Sequence, residues 1–215
     1  MDSAPLVFAP QFNTRGRRDA TGAFQPEAEA FCRARGGVPF LVGNTLDAPA
    51  MRAQVYGQID RAVGPVRTVA CFCHGSGTGI QFGFNRRNAI DLALAIAKVS
   101  TPDVRVALYC CNTAGGPGVG GDGGFADSLR DALCRAGAVQ CQVDAHTTAG
   151  HTTRNPYARR FLGMGSAVGG VGGLWIVAPR STLWAKWRRA LRDTSLRFDF
   201  PFLSIAEIHA RLMAA

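Results

Sequence analysis

Short runs that are apolar almost without interruption alternate along this chain with segments of helical period, and that alternation limits the fold most. "PLVFAPQF", "VPFLVGN", "RTVACFCHG", "VRVALYCC", "VQCQVDA" and "GLWIVAP" read as six strands. Between the first two, "PEAEAFCRARGG" has Pro26 near its start, acids in its first turn and glycines past its end, the punctuation of a helix. Met51, Val55, Ile59 and Val63 recur every fourth residue and mark one face of the next helix. "AIDLALAIAKV" follows the third strand, and "FADSLRDALCRAG", with Phe125, Leu129 and Leu133 in line, follows the fourth. Strands apolar on both faces need cover on both sides. The pattern predicts an α/β fold, a three-layer α/β/α sandwich around a mostly parallel six-stranded sheet.

A chain of 215 residues that is 47% hydrophobic can bury a sizeable core in one domain. No linker or internal repeat divides it. We expect a single domain over residues 1–215, with a core over about 5–177 and a helical segment over 180–215. That segment holds a basic amphipathic helix around Leu183, Trp184, Trp187 and Leu191. A last helix is announced by Ser204 with Glu207 three residues on, a capping-box spacing. His209, within it, reads as a surface residue.

Several function classes are argued against. No apolar run approaches the ~20 residues that span a bilayer, and "MDSAPLVFAPQF" opens on an acid where a secretory signal would be basic. Seven cysteines is an odd count, and Cys71, Cys73, Cys110, Cys111 and Cys141 fall in apolar runs. That usage favours free thiols in a reducing, cytoplasmic setting over a disulfide framework. The net charge of +9 invites a nucleic-acid partner. Yet the arginines scatter, except in "RSTLWAKWRRALR", and no nucleic-acid motif accompanies them. Nucleic acid is not the expected partner.

In open α/β sheets chemistry gathers outside the carboxyl ends of the strands. The third strand ends at His74-Gly75, the fourth at Cys110-Cys111, and the fifth near Asp144 and His146. Right-handed crossovers bring neighbouring parallel strands out at one edge, so His74 and one of the two cysteines can meet.

The pair "ACFCHGSGTG" and, one helix later, "VALYCCNTAGG" resembles the caspase-like (clan CD) cysteine peptidases, and most of all their CHAT-type branch. In that family one strand ends in His-Gly and the next in a small residue followed by Cys-Asn-Thr-Ala. The order of elements fits over about residues 5–177. Aligned on Asn112-Thr113-Ala114, the resemblance makes Cys111 the nucleophile and puts Cys110 where the family keeps a small buried residue. It implies a His74–Cys111 dyad, with the backbone N–H groups of Gly75 and Cys111 receiving the oxyanion. A thiol of ordinary pKa, about 8.5, needs such a neighbouring base to act as a nucleophile. Glycine at 75 would let a substrate carbonyl approach the main chain closely. The glycine-rich stretch after Cys111 would wall the cleft.

The chain also departs from the family. Two residues before the nucleophile, where several members have an acid and caspases a glutamine, stands Tyr109. The segment "NTRGRRDA" after the first strand resembles the arginine-containing segment that binds an acidic side chain in caspases, which makes Arg15 a candidate, whereas Asp144 would favour a basic side chain, so cleavage specificity stays open between them. With Tyr109 and His146 these are the candidate substrate-binding residues. His146 and His151 match no zinc-ligand spacing, and "GGPGVGGDGG" lacks the Lys-Ser/Thr ending of a phosphate loop. No metal and no cofactor is expected. The reading is therefore a cysteine endopeptidase acting on a protein or peptide, itself included, with any regulatory protein a separate molecule. The alternative is a catalytically inactive caspase-like domain that serves as a binding or structural module.

Overall fold

A computed structural model of the chain describes residues 4–12, 22–116, 123–166, 169–170 and 172–215. Arg15 and most of the glycine stretch after Cys111 lie outside the described residues.

The chain opens with β1 (Leu6–Pro10), α1 (Phe24–Arg35), β2 (Pro39–Val42), α2 (Ala48–Asp60) and β3 (Val66–Phe72). Three two-residue strands follow, β4 (Gly75–Ser76), β5 (Gly79–Ile80) and β6 (Phe84–Asn85), forming a small antiparallel sheet. Next come α3 (Ala89–Val99), β7 (Ser100–Tyr109), α4 (Gly124–Arg135), β8 (Gln142–His146), β9 (Ala158–Leu162) and β10 (Leu174–Trp175). The last stretch is α5 (Trp184–Asp193), α6 (Leu196–Asp199), a 3-10 turn over Phe200–Phe202 and α7 (Ile205–Ala214).

The central sheet has seven strands in the order β10-β9-β8-β7-β3-β1-β2. Strands β2, β1, β3, β7 and β8 are parallel; β9 runs against β8, and β10 against β9. The α/β class and the mostly parallel sheet agree with the sequence pattern. The strand count does not. The additional strand is "ARRFL", which the apolar pattern does not mark, and its Arg159 and Arg160 are buried. Arg159 donates to the carbonyls of Gly173 and Ala114, so its charge is not left bare.

Helices cover both faces. On one, Val55, Ile59, Leu92, Ile96, Leu129 and Leu133 from α2, α3 and α4 share a core with Phe8, Val69, Val106 and Leu108 of the sheet. Val63, expected on the α2 face, falls past the helix end and stands exposed. On the other face, Phe31 of α1 joins Trp187, Leu191, Phe198 and Ile208 over Val7, Ala70, Phe72 and Tyr109. The C-terminal helices thus complete the second layer of the sandwich. The expected capping box is present, since Glu207 N donates to Ser204 Oγ and Ser204 N to the Glu207 carboxylate. His209 is not a surface residue: it is half-buried, its Nε2 at 2.8 Å from the Ile176 carbonyl oxygen.

One ion pair ties the C-terminal layer to the sheet. Arg160 meets Asp144 through Nε and Nη2, at 2.8 and 3.0 Å, with both side chains at most 3% exposed. The same guanidinium donates to the Phe200 and Leu203 carbonyls, at 2.8 and 2.6 Å. Removing one partner leaves the other charge buried and uncompensated, which typically costs about 3–5 kcal/mol. Arg160→Ala is expected to destabilise the fold by that amount in urea unfolding and to loosen the 3-10 turn first, seen as faster amide exchange over residues 196–204.

Candidate active site

Register positions the site. Strands β3 and β7 pair in parallel, with Phe72 opposite Tyr109. On one face the Phe72 and Tyr109 rings stack, centroids 4.6 Å apart. One residue on, the Cys73 and Cys110 sulfurs meet on the other face at 3.4 Å. The next residue of each chain is His74 and Cys111. Alternation along a strand returns them to the Phe72–Tyr109 side. Accordingly, the His74 ring sits edge-on to Phe24 of α1 at 5.0 Å. The Cys111 thiol lies 3.7 Å from the Gly150 carbonyl oxygen.

The residues after Cys111 have separate structural duties. Asn112 takes a left-handed conformation, φ 57°, which asparagine tolerates better than most residues, and the chain turns there. Gly115 N closes the turn on the Asn112 carbonyl at 2.8 Å. Thr113 is fully buried, and its hydroxyl donates back to the Cys110 carbonyl at 3.1 Å. Ala114 N donates to the His146 carbonyl at 2.9 Å, fastening the turn to β8.

Glycine at 75 has a reason the sequence did not reveal. A Cβ there would lie 2.6 Å from Thr113 Cγ2, 2.8 Å from the Cys111 carbonyl oxygen and 2.9 Å from Cys110 Cβ. The close approach is to the neighbouring turn, which locks the His-Gly end of β3 against the Cys-Cys end of β7. Gln81 holds the same end from outside: its side-chain carbonyl accepts from His74 N at 3.3 Å, and its own N–H donates to the His74 carbonyl at 2.9 Å.

All seven cysteines are described, and six are buried; Cys111 alone is not. Burial pushes the Cys71 and Cys73 thiols well above the ordinary range, and Cys110 is enclosed between them, its sulfur 3.3 Å from the Cys71 carbonyl oxygen. The doublet therefore divides in burial, with Cys110 packed and Cys111 half-buried.

The residues expected to touch substrate are placed otherwise. Tyr109 is 1% exposed and its hydroxyl donates to the Arg197 carbonyl at 2.8 Å, so it belongs to the second core. Asp144 is committed to Arg160. His146 is 2% exposed, its Nε2 3.0 Å from the Thr152 carbonyl oxygen. These three have no face to offer a ligand, because each side chain is buried among its own partners beneath the edge. Among the described residues, no group of three or more His, Cys, Asp or Glu is placed to hold a metal ion.

Sequence reading missed Glu27. It looked like a first-turn acid of α1, but it is buried and accepts from Thr153 Oγ1 at 2.8 Å. His151 Nε2 and Arg197 Nε each stand 3.7 Å from its carboxylate. Glu27 so fixes the loop carrying Gly150, the carbonyl that faces Cys111. Two grooves reach the edge, one of about 590 Å³ beside His74 and Gly75, the other of about 560 Å³ starting at Gly150.

Two outcomes follow from this packing. Burial pulls His146 from 6.5 down to about 4. Between those values the unfolded chain binds a proton that the folded chain refuses, so stability is full above pH 6.5 and falls as pH drops to about 4. The loss is about 3 kcal/mol. Denaturant titrations across that window should show the slope in the wild type and a reduced slope in His146→Gln. Gly75→Ala should cost about 1–3 kcal/mol by overpacking, and Thr113→Ser in the same chain, which removes the clashing methyl but keeps the hydroxyl, should restore part of it.

Compared with family models, with curated proteins and with solved structures, this chain has no significant match.

Proposed function

We propose that the chain is a caspase-like cysteine peptidase in which His74 and Cys111 form the catalytic dyad. One observation carries the reading most: the one cysteine that is not buried follows β7 just as His74 follows its parallel partner β3, and one groove is lined by His74 while another is lined by Gly150, whose carbonyl faces the Cys111 thiol. The packed Cys73–Cys110 contact behind them supports it, since it fixes the backbone from which both groups project.

In this reading His74 takes the Cys111 proton and the thiolate attacks a peptide carbonyl carbon. The electron pair of the C=O bond moves to oxygen, and the N–H groups of Gly75 and Cys111 receive that oxyanion. Collapse breaks the C–N bond, His74 gives its proton to the leaving amine, and a thioester remains on Cys111. Water then adds to the thioester while His74 takes its proton, and the acid product leaves as the thiol is restored. Each preorganised oxyanion donor is typically worth about 10²–10³ in rate.

The no-cofactor expectation is compatible with these steps, which need only the dyad, two N–H groups and water. A membrane setting gains no support, because among the described residues no helix is long and apolar enough to cross a bilayer.

Limited alkylation with iodoacetamide near neutral pH should label Cys111 first, and His74→Ala should slow that labelling. Against a diverse peptide library, Cys111→Ala should abolish turnover and His74→Ala should lower it by about 10²–10⁴-fold. Cleavage that persists in Cys111→Ala removes this sulfur from the mechanism. Inert thiols with no turnover would leave a binding module of the same architecture.

A further inference from the structure

The groove on the Cys111 side differs from its counterpart in charge. Gly150, whose carbonyl faces the Cys111 thiol, also lines that groove, together with His151, Arg154, Tyr157, Arg192 and Asp193. A second depression of about 330 Å³ shares Arg192 and Asp193 and adds Arg188 and Arg189. Four guanidinium groups thus face one carboxylate along a path that begins at Gly150, whose carbonyl faces the candidate nucleophile. No ion pair joins any of the four to a carboxylate among the described residues, and all four are exposed.

The path is rigid where it matters. Helix α5 turns Trp187 and Leu191 inward, which leaves its arginines outward. Trp187 Nε1 donates to the Pro156 carbonyl at 2.9 Å, and Trp184 packs on Tyr157 with centroids 5.0 Å apart. The basic helix face is thereby fastened to the loop that carries Gly150. Arg188 and Arg192, four residues apart on one helix face, repel each other, and a bound anion would relieve that repulsion.

We propose that this arginine-lined path binds an acidic segment of the polypeptide substrate; the proposal rests on the peptidase reading for its placement beside the scissile bond. The chemistry favours anions, carboxylates and phosphates alike. Guanidinium forks pair with them bidentately. A single-stranded nucleic acid would stack successive bases on a run of aromatic faces, whereas this groove is lined by a single Phe, Tyr or Trp ring, Tyr157, already in contact with Trp184, and Trp187 is buried.

The test uses the full chain as Cys111→Ala and reads fluorescence anisotropy with three labelled probes: a Glu/Gly octapeptide, a Lys/Gly octapeptide and a single-stranded oligothymidylate. The acidic peptide should bind at least about tenfold tighter than the basic one and weaken as salt rises. Arg154→Glu/Arg192→Glu should lower its affinity about tenfold, and the milder Arg154→Gln/Arg192→Gln should lower it less, in the same direction. Equal binding of the two peptides, insensitivity to both variants, or tighter binding of the oligonucleotide overturns the proposal. Binding needs no chemistry, so acidic-peptide affinity that holds while the wild type cleaves nothing overturns only the peptidase reading. Cleavage whose kcat/KM for acid-flanked peptides ignores both variants overturns only the acidic-segment proposal.

Discussion

The pairing of β3 with β7 is the constraint on which the sheet edge depends. A one-residue slip between two strands exchanges their faces. Here a slip would bury the sulfur of Cys111 and bring Cys110 to the surface. The register is held from both sides at once: aromatic stacking of Phe72 on Tyr109 above the sheet, and sulfur contact of Cys73 with Cys110 below it. Neither contact suits the other face, because the stacked pair sits against α1 and the C-terminal helices while the sulfurs sit in the opposite core. Gly75 then draws the two strand ends together beyond the last paired residues, where the ladder no longer does so.

The second helical layer serves the same edge. Tyr109 donates to Arg197, Thr152 donates to the Tyr109 carbonyl at 2.6 Å, and Glu27 gathers Thr153, His151 and Arg197. A buried carboxylate is costly without such partners. Its presence at the start of α1 therefore couples three segments distant in sequence: the first helix, the loop after β8 and the C-terminal helices. The Asp144–Arg160 pair couples β8 and β9 to the 3-10 turn in the same way. Charge inside this molecule joins layers, and it does so just beneath the edge that carries His74 and Cys111.

That use of charge also explains what the sequence could and could not reveal. Apolar periodicity located the parallel strands and the helices between them, because those depend on local pattern; Phe125, Leu129 and Leu133 are all fully buried as expected. The capping box of α7 was legible for the same reason. Strand β9 was not, since two arginines in five residues look solvated until Asp144 and several carbonyls from remote segments are seen to satisfy them. Strands β4 to β6 are two residues each, too short to carry a period. The positions of His74 and Gly75 just past β3, and of Cys111 just past β7, were legible because strand ends are local features. The inward turn of Tyr109, Asp144 and His146 was not, since it depends on which layer covers them.

The two grooves leave the edge electrically uneven. Beside His74 the lining includes Asn44, Ser76, Thr78, Gln81 and Asn85, polar groups without formal charge. Beside Cys111 it holds Arg154 and Arg192. A polypeptide lying across the edge meets neutral hydrogen-bonding groups on one side and guanidinium groups on the other. Under the proposed acidic-segment reading, charge on the first side would be read weakly, since no fixed ion answers it, while charge on the second would be read along α5. Orientation follows from that difference: an extended chain with acids on one flank only has one direction in which its acids and the arginines coincide. Of the adjacent Cys110 and Cys111, only the second turns toward the arginine-lined side, its thiol 3.7 Å from the Gly150 carbonyl that lines that groove, while the first packs against Cys73 in the opposite core.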